Sequence, residues 1–580
     1  MNKLERLAER YSLHWCTLFL LLVGIQVVAA AYTLATSLWW GPWRDMWEAL
    51  PFIEKALAGQ ASLYDYWDQY GYSHRPFISR IFWVADCRWF GCSNHLLLVI
   101  SCLMQGIIFL AIRRVLQQQA NVTPEQQCLA LGSVIFCLFN ITQVFNFLHT
   151  FDVQWFVTAA CVVCCLERLL AGAGRQSSRD LVLAWCFALL GSLNNFSALL
   201  VWPVGIILMT GLRYRHAQIL VFSIATLLYM AFYFQGLPTG GSTVIADLAQ
   251  QDLLHKLEAV TGILVVFPLW YLSNPLSFQL ASDGPLHMSW PVTWLAPGIV
   301  MVLVLAAARG GWLFMRRQTT GVPMALMGLS LMLYGYGVGI VTALGRGMFW
   351  DNVYALRYQN IVLLFWIGVV LWLGSSARWR YSGLLAATVL LLAFFSVRAD
   401  WYHDLMLKTG NRTRDAHLAL RVGLENRLPA IQATVSRSHL YAGSDYQLVN
   451  EAAFLRRIGA GPYGDPAWAV PDKQELLSAP RCASAVSGFD VHGDDASYAR
   501  LSVDFAQPVR YAVLAWFDVD ASAPGLLIAQ REDTLQARML QTWSGFTGYA
   551  GFARTLPQLK PDHVYARDGE HWCRLAFPQE

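Results

Sequence analysis

Residues 14–36 read HWCTLFLLLVGIQVVAAAYTLAT, and residues 41–48, just behind them, read GPWRDMWE. The first stretch is apolar over the about 20 residues that a helix needs to cross a bilayer. Lys3, Arg6 and Arg10 precede it, so its N-terminal end is expected in the cytoplasm. The small residues Val28-Ala29-Ala30-Ala31 suggest a cleavable signal peptide, but the run exceeds a usual signal core and further spans follow, so it is expected to stay. In the second stretch Asp45 and Glu48 stand three residues apart at the membrane mouth. Carboxylates there cost solvation energy unless they face water or a polar partner. On a short surface helix the two share a face.

Working outward, the 580 residues are 56% hydrophobic and only 14% charged. Soluble domains carry roughly 25% charged residues, so lipid is expected to solvate most of this chain. The net charge of +4 comes from basic residues at the ends of apolar runs. No basic stripe follows a phosphate backbone, and no nucleic-acid partner is expected. Cys102, Cys137, Cys161, Cys164, Cys165 and Cys186 lie in apolar runs, where a thiol behaves as a small hydrophobe. The spacing of Cys161, Cys164 and Cys165 resembles that of metal ligands but has no soluble loop beside it. Cys482 and Cys573, and Cys87 and Cys92, are candidate disulfides if their regions face an oxidising compartment.

Basic residues at span ends give a topology. Apolar runs near 14–36, 94–112, 127–146, 153–170, 180–193, 197–212, 217–234, 292–314, 323–344, 358–374 and 381–397 alternate across the membrane. Residues 257–273 are apolar with both flanks on the outer side, and Pro268 and Asn274-Pro275 fit a re-entrant or interfacial helix. The expected fold is therefore an α-helical polytopic membrane protein of about eleven spans plus one irregular segment. Residues 1–397 form this domain, with a first extracytoplasmic loop at 37–93. Residues 398–580 form an extracytoplasmic α/β domain, mainly helical over 403–460 and β-rich over 483–580, where apolar and polar residues alternate. No internal repeat, Walker loop or dinucleotide-binding glycine motif stands out, and the cytoplasmic loops are too short for an ATPase domain.

Three groups of residues carry candidate chemistry. Asp45 is placed to act as a general base on an acceptor hydroxyl, with Glu48 tuning or sharing its proton. The plain alternative is a surface helix whose acids face water. His74, Arg75 and Arg80 form a cationic cluster suited to a phosphate, since arginine grips phosphate oxygens with two prongs. Interfacial anchoring is the alternative, as it is for most of the aromatics between Trp39 and Tyr72. Polar residues at the same ends of other spans complete the set: Asp152 and Gln154 in His149-Thr150-Phe151-Asp152-Val153-Gln154-Trp155, Asn194-Asn195, Arg346, and Arg357-Tyr358. Their common side is the pattern of one outward-facing cavity, with Arg346 and Arg357 as reserve phosphate ligands.

In its organisation the chain resembles the C superfamily of integral-membrane glycosyltransferases, over about residues 1–397. Members carry an acidic catalytic residue in the first extracytoplasmic loop, where Asp45 and Glu48 stand here. The phrase Tyr72-Ser73-His74-Arg75-Pro76-Phe77-Ile78-Ser79-Arg80 looks like the His-Arg segment of that loop in bacterial members. The loop lacks the Asp-X-Asp pattern of some members, so no metal or other cofactor is expected. The resemblance implies an inverting transfer of a sugar from a polyprenyl-phosphate donor to a cell-envelope glycan, lipid or exported protein. It also implies residence in the bacterial inner membrane, with a cytoplasmic N-terminus and the C-terminal domain in the periplasm. Two alternatives stay open: an envelope polysaccharide polymerase or ligase using a diphosphate-linked donor, and a transporter of lipid-linked sugar. The first usually carries its key cations in a later loop, and the second more often shows inverted repeats.

Overall fold

The computed structural model describes residues 3–38, 41–69, 74–119, 122–236, 252–275, 290–317, 323–346, 356–375, 405–406, 409, 413, 417, 420, 445–464, 473–493, 498–509, 513–516, 526–530, 546–554, 564–568 and 571–576. Among these, nine helical segments are long and apolar enough to cross a membrane, and the chain is a multi-pass membrane protein. The run expected at 381–397 lies outside the described residues, as does most of 398–444.

The first long helix is α1 (Lys3–Ser37). Short helices α2 (Met46–Leu57), α3 (Leu63–Trp67) and α4 (Phe77–Phe90) follow and lead into α5 (His95–Gln117). Next come α6 (Pro124–Leu138), α7 (Val144–Leu148) and α8 (Val153–Ala173), joined by 3₁₀ turns at Ile141–Gln143 and Thr150–Asp152. The pair expected around Asn194-Asn195 appears as α9 (Ser178–Ser192) and α10 (Val201–Gly211), the latter entered through a 3₁₀ turn. Helix α11 (His216–Phe234) precedes the segment expected to be irregular.

The segment expected to be re-entrant or interfacial is a helix interrupted by a π turn. It is helical from Leu253 to Ser273, long enough to cross, as α12 (Leu253–Thr261), a π turn (Gly262–Val266) and α13 (Phe267–Ser273). Pro268 has no N–H for the carbonyl of Leu264. The Tyr336 hydroxyl donates to that carbonyl at 2.7 Å instead, so the proline distorts the helix without ending it. Helices α14 (Trp290–Arg317), α15 (Pro323–Arg346) and α16 (Gln359–Ser375) follow. Gly328 and Gly368 let α15 and α16 meet backbone to backbone: a Cβ on either would lie 2.6 Å from the other's carbonyl oxygen. Cys161, Cys164 and Cys165 are buried in the helical core.

The later part carries α17 (Asp445–Arg457), a 3₁₀ turn (Gly461–Tyr463) and α18 (Lys473–Leu477). Strands β1 (Arg481–Gly493), β2 (Tyr498–Val509), β3 (Val513–Trp516), β4 (Leu526–Gln530), β5 (Phe546–Arg554), β6 (Val564–Asp568) and β7 (His571–Ala576) close a barrel in the order β1-β2-β5-β4-β3-β6-β7. In β2, Val503 and Phe505 are buried on either side of the less buried Asp504, the period-two pattern of a strand with one face inward. Strand β7 lies parallel to β1, and Cys482–Cys573 bridges the two. A second disulfide, Cys87–Cys92, ties the end of α4 to the start of α5.

Candidate active site at the end of the first helix

The turn between α1 and α2 is unusual. Gly41 has φ 124° and Arg44 φ 49°, and only the first belongs to a residue that takes the left-handed region freely. For Arg44 the conformation costs on the order of 1 kcal/mol and survives only where the surroundings enforce it. They do so through successive carbonyls. Asn94 Nδ2 donates to the Gly41 carbonyl at 2.7 Å, and His417 Nε2 lies 2.9 Å from the Pro42 carbonyl. The backbone N–H groups of Met46 and Trp47 then bond the carbonyls of Trp43 and Arg44, which starts α2.

Asp45 occupies the N-cap position of α2 but makes no side-chain capping bond. Its carboxylate lies 3.9 Å from Arg357 Nη1, and both side chains keep partial contact with solvent, 37% and 25% exposed. Arg44 stacks over the Trp43 ring at 4.5 Å and experiences Asp45 and Asp152 as attractive and Arg357 as repulsive neighbours. Two cations and two carboxylates thus share one small volume.

Behind them sit His149 and Asp152. Their Nδ1 and Oδ2 atoms are 2.8 Å apart, with the side chains 3% and 1% exposed. Among the described residues neither ring nitrogen of His149 has an aligned hydrogen-bond partner, so the contact is one of close approach. Local sequence explains the position. The Asn140 side chain caps the first 3₁₀ turn by accepting from Thr142 N at 2.8 Å, and only the short α7 separates it from the second 3₁₀ turn before α8 begins. Broken helix of this kind is tolerated at membrane depth only where protein covers it. Thr150 Oγ1 donates to Asn94 Oδ1 at 2.9 Å, so Asn94 joins this segment to the Gly41 turn. Asn94 is itself held by Asp86, which accepts from the N–H groups of Asn94 and Leu96 at 2.9 and 3.0 Å at the start of α5. Burial pushes the Asp86 carboxyl up, and those two bonds oppose it.

The structure brings Asp45, Asp152 and Arg357 together and adds Arg44 and His149. Other residues singled out in the sequence do different work. Arg75 is 3% exposed and sends Nε to the Tyr233 carbonyl (3.0 Å), Nη1 to that of Trp67 (3.2 Å) and Nη2 to that of Gln235 (2.7 Å). Arg80 Nη1 donates to the carbonyls of Asp65, Tyr66 and Asp68 at 2.8, 3.1 and 2.6 Å, closing the C-terminal end of α3. Both arginines thus tie backbone segments together. His74 packs its ring edge-to-face against Trp155 at 6.1 Å. Asn194 accepts from Ser79 N (3.0 Å) and Oγ (2.6 Å) and donates to the Gln154 carbonyl (2.7 Å), while Asn195 donates to Gln154 Oε1 (3.3 Å) and caps the following 3₁₀ turn. These amides lock α4, α8 and α9 to one another. Tyr358 is buried between Trp155 and Tyr271. Glu48, one turn beyond Asp45, is exposed. Arg346 ends α15, and its side chain lies outside the described residues.

Arg44 escaped the sequence reading although it stands next to Asp45, because adjacent residues on a regular helix diverge and only the left-handed turn places it here. Comparison with known proteins finds no matching family model, no matching curated protein and no matching solved structure.

Proposed function

We propose that this protein is a membrane glycosyltransferase that moves a sugar from a polyprenyl-phosphate donor to a cell-envelope acceptor on the extracytoplasmic face. One observation carries the reading. A partly exposed carboxylate, Asp45, faces Arg357 at 3.9 Å at the end of a membrane-spanning bundle, with Arg44 beside it. Asp45 takes the proton of the acceptor hydroxyl. The acceptor oxygen bonds the anomeric carbon as the bond from that carbon to the phosphate oxygen breaks, and the electron pair leaves with the phosphate. A single displacement of this kind inverts the anomeric centre. Arg357 and Arg44 meet the charge on the departing phosphate. Arg75 and Arg80 are not assigned this task, because their N–H groups already serve backbone carbonyls.

Asp152, held beside His149, supports Arg357 and Arg44 from behind with a second carboxylate, this one buried. The test is transfer of sugar from a purified lipid-linked donor. General-base catalysis contributes roughly 10²–10⁴-fold, so Asp45→Asn should lower turnover by about that factor while donor still binds. A folded Asp45→Asn protein with normal turnover would sink the assignment. Consumption of diphosphate-linked donors alone would point to a polymerase or ligase instead.

A further inference from the structure

The turn that presents Arg44 and Asp45 is held from two directions, and one of them is far away in sequence. Asn94 reaches the Gly41 carbonyl from the start of α5. His417 reaches the next carbonyl, that of Pro42, across a separation of 375 residues. The imidazole is 1% exposed and stacks on Trp47 with ring centroids 5.6 Å apart and planes 23° from parallel. Its other nitrogen, Nδ1, lies 3.2 Å from the Tyr463 hydroxyl.

These contacts fix the tautomer. A carbonyl only accepts, so the proton sits on Nε2, and Nδ1 accepts from the Tyr463 O–H. Burial holds the ring well below its ordinary range, at about 4, which keeps it neutral. Further contacts press the same part of the chain onto the membrane domain. Gly461 N donates to the Gly91 carbonyl at 2.9 Å, Arg457 pairs with Glu54 on α2, and Leu448, Ala452 and Leu455 share one apolar cluster with Trp43, Met46 and Leu50.

We propose that His417 is a positioning residue: the chain beyond the membrane domain completes the active site by clamping the Pro42 carbonyl, which holds the left-handed turn at Arg44 and aims Asp45. What the turn is aimed at rests on the glycosyltransferase reading; the clamp itself does not.

Two substitutions separate the two sides of the ring. Glutamine places its Nε2 where the imidazole Nε2 stands and can still bond Pro42. Asparagine reaches only as far as Nδ1, so it keeps an acceptor for Tyr463 and loses the Pro42 bond. The experiment measures amide hydrogen exchange over residues 43–48 in the full-length protein in nanodiscs, together with sugar transfer. His417→Asn should speed exchange there by tenfold or more and leave α15 and α16 protected, while His417→Gln should stay near wild type. Transfer should follow the same order, with kcat lowered by tenfold or more in the Asn variant and donor KM changed less than threefold. Unchanged exchange over 43–48 in His417→Asn, or faster exchange spread equally over the whole chain, would overturn the clamp. Local exchange that rises without loss of transfer upholds the clamp and removes the catalytic role given to the turn. A protein without transferase activity leaves the exchange measurement able to judge the clamp alone.

Discussion

Asp45 and Arg357 come from the two ends of the membrane domain's sequence and meet at 3.9 Å, so each residue's effect depends on the other. A charge-assisted contact to a phosphate is worth about 1.5–3 kcal/mol. Arg357→Ala should therefore weaken donor binding by tenfold or more, measured by titration with the lipid-linked donor. Arg357→Lys should recover only part, because an ammonium cannot form the two-pronged contact. Normal affinity in Arg357→Ala would remove it from the anion site. Asp45 stands out in the sequence as a candidate because a carboxylate just behind an apolar run is costly unless it meets water or a polar partner. The separate duty of Arg75 was not legible. Its three acceptors are backbone carbonyls, two of them about 160 residues away, and a carbonyl has no signature in a residue pattern. Arg44 and His417 were hidden for related reasons: one needs a left-handed turn and the other a contact across 375 residues.

At the scale of elements, apolar length alone located most long helices, since lipid imposes a minimum run on each crossing. At 257–273 a proline and opposing flanks suggested an irregular helix, and a π turn stands there. The helix continues because a hydroxyl on a neighbouring helix replaces the missing bond. Tyr336→Phe should thus leave the Leu264 carbonyl without its partner. The expected cost is about 1–3 kcal/mol, seen as faster amide exchange over residues 260–268 and a lower Tm in detergent. No change in either would mean that water serves the carbonyl equally well. The β-rich character of 483–580 was legible from alternating runs, yet the individual strands and their order were not, because the β1–β7 closure joins segments far apart in sequence.

For the whole molecule, the docking of the later chain onto α2 places two titratable groups with opposite preferences in one interface. His417 is driven from an ordinary 6.5 to about 4 by burial, with the Pro42 bond acting the other way. Glu451 on α17 is driven from 4.5 up to about 7, by burial first and the Glu54 charge second. The signs differ. Between pH 4 and 6.5 the undocked histidine binds a proton that the docked one refuses, so its contribution is complete above 6.5 and is lost as pH falls through 4. Docked Glu451 keeps a proton that the undocked group gives up above 4.5, so its contribution is complete below that and is lost as pH rises through 7. The two slopes have opposite signs and oppose each other over the shared range. Docking in the unmodified protein should accordingly change less between pH 4 and 7 than in either single variant. Single variants expose one slope each. Glu451→Gln should make docking acid-sensitive, and His417→Gln should make it alkali-sensitive, while the double variant returns to a flat profile. Amide exchange over residues 445–457, corrected for the intrinsic pH dependence of exchange, reads all four proteins. Parallel profiles in the two single variants would show that these residues do not set the interface.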